Sequence, residues 1–131
     1  MARSWKWFDR RALLLLHDES LAEHGGLPGI RDEGLFDSAL MRPLNLAAYG
    51  NPDVCELAAS YCVGPAKNHP FVDGNKRAAF LALGLFLYLN GQRLNATQAE
   101  ATLAMLAVAA GEWDEPTLSA WLRAHVTPRA I

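Results

Sequence analysis

The chain has 131 residues, of which 51% are hydrophobic and 20% charged, and a formal net charge of -2 at pH 7. A length of this order fits one domain, and the composition is that of a soluble globular protein. The slightly acidic balance argues against a large nucleic-acid footprint, and no apolar run approaches the ~20 residues that a membrane helix needs.

The five apolar residues Ala12 to Leu16 are followed at once by His17-Asp18-Glu19, too short and too charged for a secretory signal, so the cytoplasm is the expected compartment. Asp9 caps a first helix that runs to about Glu23, with Leu14, His17 and Leu21 on one face and Gly25-Gly26 at its end. His17 reads as a satisfied core histidine; no His-rich ligand set accompanies it. The loop Gly25-Gly26-Leu27-Pro28-Gly29 reads either as a helix connection or as a loop lying near an active site. Asp32 caps a helix to about Leu40, Pro43 should break or kink it, and a further helical piece reaches Tyr49-Gly50.

Asp53 to Ala66 reads as an amphipathic helix carrying Cys55 and Cys62. Seven residues apart on one helix, these lie ~10 Å from each other, beyond disulfide reach, so both are expected to be free. Ala78 to Leu89 contains no charged or strongly polar residue and is expected to be the buried central helix of an all-α domain. Asn90-Gly91 stops it. Thr97, with Glu100 in capping-box position, starts a helix through Ala110. Asp114-Glu115-Pro116 starts the last helix, with Leu118, Trp121, Leu122 and His125 inward. The tail from Thr127 is expected to fray, little or no sheet is expected, and Trp5, Trp7 and Trp113 read as exposed apolar residues.

Between the two inner helices lies His69-Pro70-Phe71-Val72-Asp73-Gly74-Asn75-Lys76-Arg77. Lys76 and Arg77 fall in the first helical turn, where the dipole disfavours cations by ~0.3–1 kcal/mol each. A bound anion would remove the conflict, since free backbone N–H groups, two cations and a Gly make an anion site; the plain alternative is that both side chains reach into solvent or pair with acids. Pro70 biases His69 away from helix, and His69 can accept a hydroxyl proton near neutral pH or sit inertly at a helix end. Asp73 can hold Mg²⁺ or merely cap the helix. Gly74 lets backbone approach phosphate closely. Asn75 and the amides of Lys76 and Arg77 can donate to phosphate oxygens, and Phe71 is the expected buried anchor.

These nine residues resemble the Fic/Doc signature, whose Fic form reads H-x-F-x-[D/E]-G-N-G-R-x-x-R. Lys76 stands where Fic has its second Gly, and Phe80 stands at the last Arg; both departures are those of the Doc (death-on-curing) branch. His24-Gly25-Gly26-Leu27-Pro28-Gly29, Arg31-Asp32-x-Gly34-Leu35 and Phe86-Leu87-x-Leu89-Asn90-Gly91 are also similar to that branch, so the likeness extends over roughly residues 10 to 125.

The resemblance implies a single Fic/Doc-like domain over residues 1–131, core about 9–126, built as a bundle of about six helices. It implies a toxin of a toxin–antitoxin module that uses ATP and Mg²⁺ to phosphorylate a threonine hydroxyl on elongation factor Tu or another translation protein. His69, Asp73 and Lys76 would then be catalytic. Gly74, Asn75, Lys76 and Arg77 would bind phosphate, with Asp73 on the metal. A cognate antitoxin would dock its C-terminal segment on the toxin as a helix, and neither nucleic acid nor membrane would be a direct partner. The alternatives are a Fic-type AMP-transferase, favoured by Gly74, and a catalytically silent interaction module of the same fold.

Overall fold

The computed structural model describes residues 4–130. Six helices follow one another: α1 (Arg10–His24), α2 (Glu33–Tyr49), α3 (Val54–Asn68), α4 (Asn75–Leu89), α5 (Gln98–Ala109) and α6 (Glu115–His125). Two short strands, β1 (Gln92–Leu94) and β2 (Val126–Pro128), complete the described elements. The fold is all-α, as the sequence predicts.

Five of the six helices open on a side chain that accepts from their first turn. Asp9 takes the Ala12 N–H, Asp32 that of Leu35, Asp53 that of Glu56, Thr97 that of Glu100 and Asp114 that of Thr117. Each such cap contributes about 1 kcal/mol. At Asp53 and Thr97 the glutamate three residues on reaches back to the cap's own N–H, closing two capping boxes.

α3 and α4 form the centre of the core. α4 buries Ala78, Ala79, Ala82, Leu83, Phe86 and Leu87. α3 is enclosed still more completely, without interruption from Leu57 to Ala66. Small residues make that enclosure possible: a Cβ on Gly64 would lie 2.8 Å from the Ala39 Cβ of α2. Cys55 and Cys62 are free and buried. Burial pushes the Cys55 thiol up to about 11 and Cys62 also upward, which leaves both inert.

Three expectations are corrected. Pro43 does not break α2, which runs through it to Tyr49; the proline lies on the buried face with Phe36 and Ala39, where packing offsets the missing backbone bond. Trp5, Trp7 and Trp113 are partly buried against the core rather than exposed. Trp7 lies 5.5 Å from the Phe86 ring, and Phe8 stacks on Tyr61 at 4.4 Å. The tail from Thr127 does not fray: Val126–Pro128 pairs antiparallel with Gln92–Leu94, Thr127 opposite Arg93. Asn95 N–H also donates to His125 O, and Arg129 N–H to Gly91 O. No helix among the described residues is long and apolar enough to cross a membrane.

Candidate active site

The site begins where α3 ends. His69 is the C-cap, in the left-handed region at φ 50 and ψ 60. Among the described residues it is the one non-glycine with positive φ. Glycine usually fills this position, and a side chain there costs roughly 1–2 kcal/mol. Pro70 follows and cannot extend the helix. The exposed imidazole turns back on its own helix, with Nε2 3.1 Å from Ala66 O. A carbonyl only accepts, so Nε2 carries the hydrogen and the Nδ1 lone pair is left available.

Phe71 points inward and is 1% exposed. Its ring packs 4.1 Å from that of His17 and 5.1 Å from that of Phe36. Asn75 closes the loop around it: Phe71 N–H donates to Asn75 Oδ1 at 2.9 Å, and Asn75 Nδ2 donates to Phe71 O at 3.0 Å. Asn75, expected to donate to phosphate oxygens, here holds the Phe71 backbone with both ends of its amide.

Asp73 is exposed and ties two segments together. Its Oδ1 accepts from Gly74 N–H at 2.9 Å and its Oδ2 from Leu27 N–H at 3.2 Å. Its backbone carbonyl accepts from His17 Nε2 at 3.1 Å. His17 is buried, and burial pushes its imidazole below the ordinary value, so it is a neutral donor at this atom. Its other ring nitrogen, also buried, has no partner among the described residues. Gly74 has φ 72, and a Cβ there would meet His17 Cε1 at 2.9 Å; only glycine fits.

The segment 25–32 lies alongside the motif. Ile30 and Phe71 form an antiparallel bridge, and Val72 N–H donates to Gly29 O at 3.0 Å. The Gly25–Gly29 loop thus both connects α1 to α2 and lies against the motif. A Cβ on Gly26 would lie 3.1 Å from Asp73 Oδ2, so this approach too depends on glycine.

α4 opens differently from the other helices. Gly74 is its N-cap, and no side chain accepts from its first turn. Lys76 and Arg77 are exposed there, and among the described residues neither forms an ion pair. Open N–H groups and two unspent cations make this helix start attractive to an anion. Behind it a cleft of about 560 Å³ runs between Lys76, Arg77 and Phe80 on α4 and Thr97, Met105 and Leu106 at α5. That volume is in the range of small-molecule sites.

Among the described residues no three His, Cys, Asp or Glu side chains converge as a metal cage. Asp73 offers one exposed carboxylate whose oxygens each keep a free lone pair. This fits Mg²⁺ held jointly with phosphate oxygens and water, the usual manner for that ion. The motif's residue types were legible beforehand. The grip of His17 on Asp73 and of Arg31 on the His69 turn was not, because each spans tens of residues in sequence.

Comparison with known proteins agrees with this geometry. Residues 7–87 match the model of the Fic/DOC family. The chain is 40% identical over 80 residues to the protein kinase doc of Escherichia phage P1, covering 60% of this chain and 64% of that protein. It is 43% identical over 75 residues to the toxin Doc of Mycolicibacterium smegmatis, covering 55% of this chain and 57% of that one. The chain thus spans less than two thirds of the length of either relative. The matched residues contain the whole motif, the 25–32 segment beside it and most of the central helix pair: the chain belongs to the Fic/DOC family.

Proposed function

We propose that this protein is a Doc-type toxin that transfers the γ-phosphate of ATP to a protein hydroxyl, with a threonine of elongation factor Tu as the candidate acceptor. It would act in the cytoplasm, where arrest of translation stops growth. One observation carries the reading: among the described residues α4 alone opens without a side-chain cap, and it opens on Lys76 and Arg77 at the end of the loop that His69 begins. The fold elsewhere caps its helices, so an open start with unpaired cations fits a site kept for phosphate.

In this reading His69 Nδ1 takes the proton of the acceptor hydroxyl. The hydroxyl oxygen bonds to the γ-phosphorus, the bond from phosphorus to the β-phosphate oxygen breaks, and ADP leaves. Such transfer depends on positioning and charge neutralisation rather than on covalent catalysis. Lys76, Arg77 and the α4 amides supply the neutralisation, and Asp73 would hold Mg²⁺, which adds positive charge on the phosphates. Asn75, through its two bonds to Phe71, keeps the loop in shape. The name of one relative, protein kinase doc, supports phosphoryl transfer, and that of the other, toxin Doc, supports a toxin. The antitoxin's C-terminal segment is the proposed partner.

Phe80 favours γ-phosphate transfer over AMP transfer. It stands where the Fic pattern has an Arg, and it lines the cleft with an apolar ring. AMP transfer is the second reading, favoured by Gly74. The deciding experiment incubates the chain with elongation factor Tu and ATP labelled differently on the γ-phosphate and the adenine. Appearance of the γ label on the protein is expected. The adenine label would establish the AMP-transferase instead, and neither label would remove elongation factor Tu as the acceptor.

A further inference from the structure

We infer that Arg31 is a positioning residue for His69, holding the backbone of its turn from outside the motif. The inference rests on the reading of His69 as the group that meets the acceptor hydroxyl. Three donors of Arg31 reach three consecutive carbonyls. Nε donates to His69 O at 2.7 Å and Nη2 to Asn68 O at 2.9 Å. The backbone N–H donates to Pro70 O at 2.7 Å, and Asp32 N–H adds a second bond to that oxygen at 3.1 Å.

The His69–Pro70 peptide has no N–H, so its carbonyl is its one hydrogen-bonding handle. Arg31 Nε holds that handle. The remaining restraints on the turn act on other atoms: His69 N–H reaches Pro65 O at 3.3 Å, and the imidazole reaches Ala66 O. The left-handed conformation of His69 persists only where its surroundings over-determine it, and the guanidinium is the contact that acts on its carbonyl side.

The chemistry suits arginine specifically. The last carbonyls of a helix lack helical partners, and the negative end of the dipole favours a cation there. The planar guanidinium presents Nε and Nη2 along one edge, matching two neighbouring acceptors. A lysine ammonium has no such fork. Among the described residues Arg31 forms no ion pair, so its donors serve the turn rather than a carboxylate.

The test uses isotope-labelled full chain as wild type, Arg31→Lys and Arg31→Ala. It reads the His69 Cα and Cβ chemical shifts and steady-state γ-phosphate transfer with ATP varied. Wild-type shifts should be those of a left-handed residue. In Arg31→Ala they should move to averaged values, and kcat should fall about 10- to 100-fold, as for a misplaced catalytic group. The KM for ATP should stay within about twofold, because the groups at the α4 start are untouched. Arg31→Lys should fall between, and added guanidinium ion should restore part of the Arg31→Ala activity. Should the alanine variant fail to fold, the lysine variant carries the same measurements. Unchanged His69 shifts with kcat within about twofold of wild type overturn the inference. A wild type that transfers neither label overturns the phosphotransfer reading instead, and the His69 shifts still decide the clamp.

Discussion

His69 and His17 differ in burial and so in task. His69 is exposed, and its imidazole makes one hydrogen bond, to its own helix. His69→Ala should therefore lower phosphotransfer by roughly 10²–10⁴-fold while changing stability by no more than about 1 kcal/mol. Transfer assays beside thermal unfolding check this, and retained transfer removes His69 from the mechanism. His17 is enclosed, stacks on Phe71 and holds the Asp73 carbonyl. Its partner lies 56 positions away, which is why a reading by helical face marked His17 only as a core residue. Asp73 ties the loop together and is also the proposed Mg²⁺ ligand. Asp73→Asn keeps one acceptor oxygen for Leu27 or Gly74 and loses the other, at a cost of about 1 kcal/mol. Its Mg²⁺-dependent transfer should fall far more. A variant that unfolds yet keeps its activity per folded molecule would reduce Asp73 to a structural tie.

The helices show which sequence signals survive folding. Caps are local, and Asp9, Asp32, Asp53, Thr97 and Asp114 all act where their spacing places them. Pro43 misleads because burial of its ring on the α2 face is a tertiary effect. The degree to which α3 is enclosed is hidden for a related reason: Ala58, Ala59, Ser60 and Gly64 register as small rather than apolar although all are buried, and at Gly64 the missing side chain lets Ala39 of α2 approach. The strand Val126–Pro128 is too short for a visible alternation, and its pairing partner lies far upstream. At the start of α3, desolvation pushes the Asp53 carboxyl up, but Arg123 and the Glu56 N–H outweigh it and hold it below the usual carboxylate value. A depressed folded pKa stabilises above the unfolded value of about 3.9 and loses that contribution as pH falls through the folded value. Asp53→Asn retains a capping side chain and loses the half-exposed pair with Arg123, which solvent screening limits to about 1 kcal/mol at most. Denaturant unfolding should show a small loss at pH 7 and a shallower decline than wild type below about pH 4. An unchanged acid decline would mean that Asp53 does not contribute to it.

At the scale of the molecule, the motif loop joins the end of α3 to the start of α4, and a cleft opens there between α4 and α5. The loop from Pro70 to Gly74 is braced by His17 from α1, by Asn75 from α4 and by the 25–32 segment. The chain carries a formal net charge of -2, yet among the described residues Lys76 and Arg77 stand without an ion pair at the one helix start that lacks a side-chain cap. Repulsion from the helix dipole should make the two cations slightly destabilising in the free protein, by ~0.3–1 kcal/mol each. Arg77→Ala removes that repulsion together with the proposed phosphate contact. Thermal unfolding of wild type and Arg77→Ala, each with and without Mg-ATP, tests the central claim that these charges are kept for phosphate. The account predicts that nucleotide-free Arg77→Ala unfolds at the same temperature as wild type or slightly higher, and that Mg-ATP raises the wild-type midpoint far more than the variant's. A nucleotide-free Arg77→Ala protein that unfolds several degrees lower, or one that Mg-ATP stabilises as strongly as wild type, would contradict it.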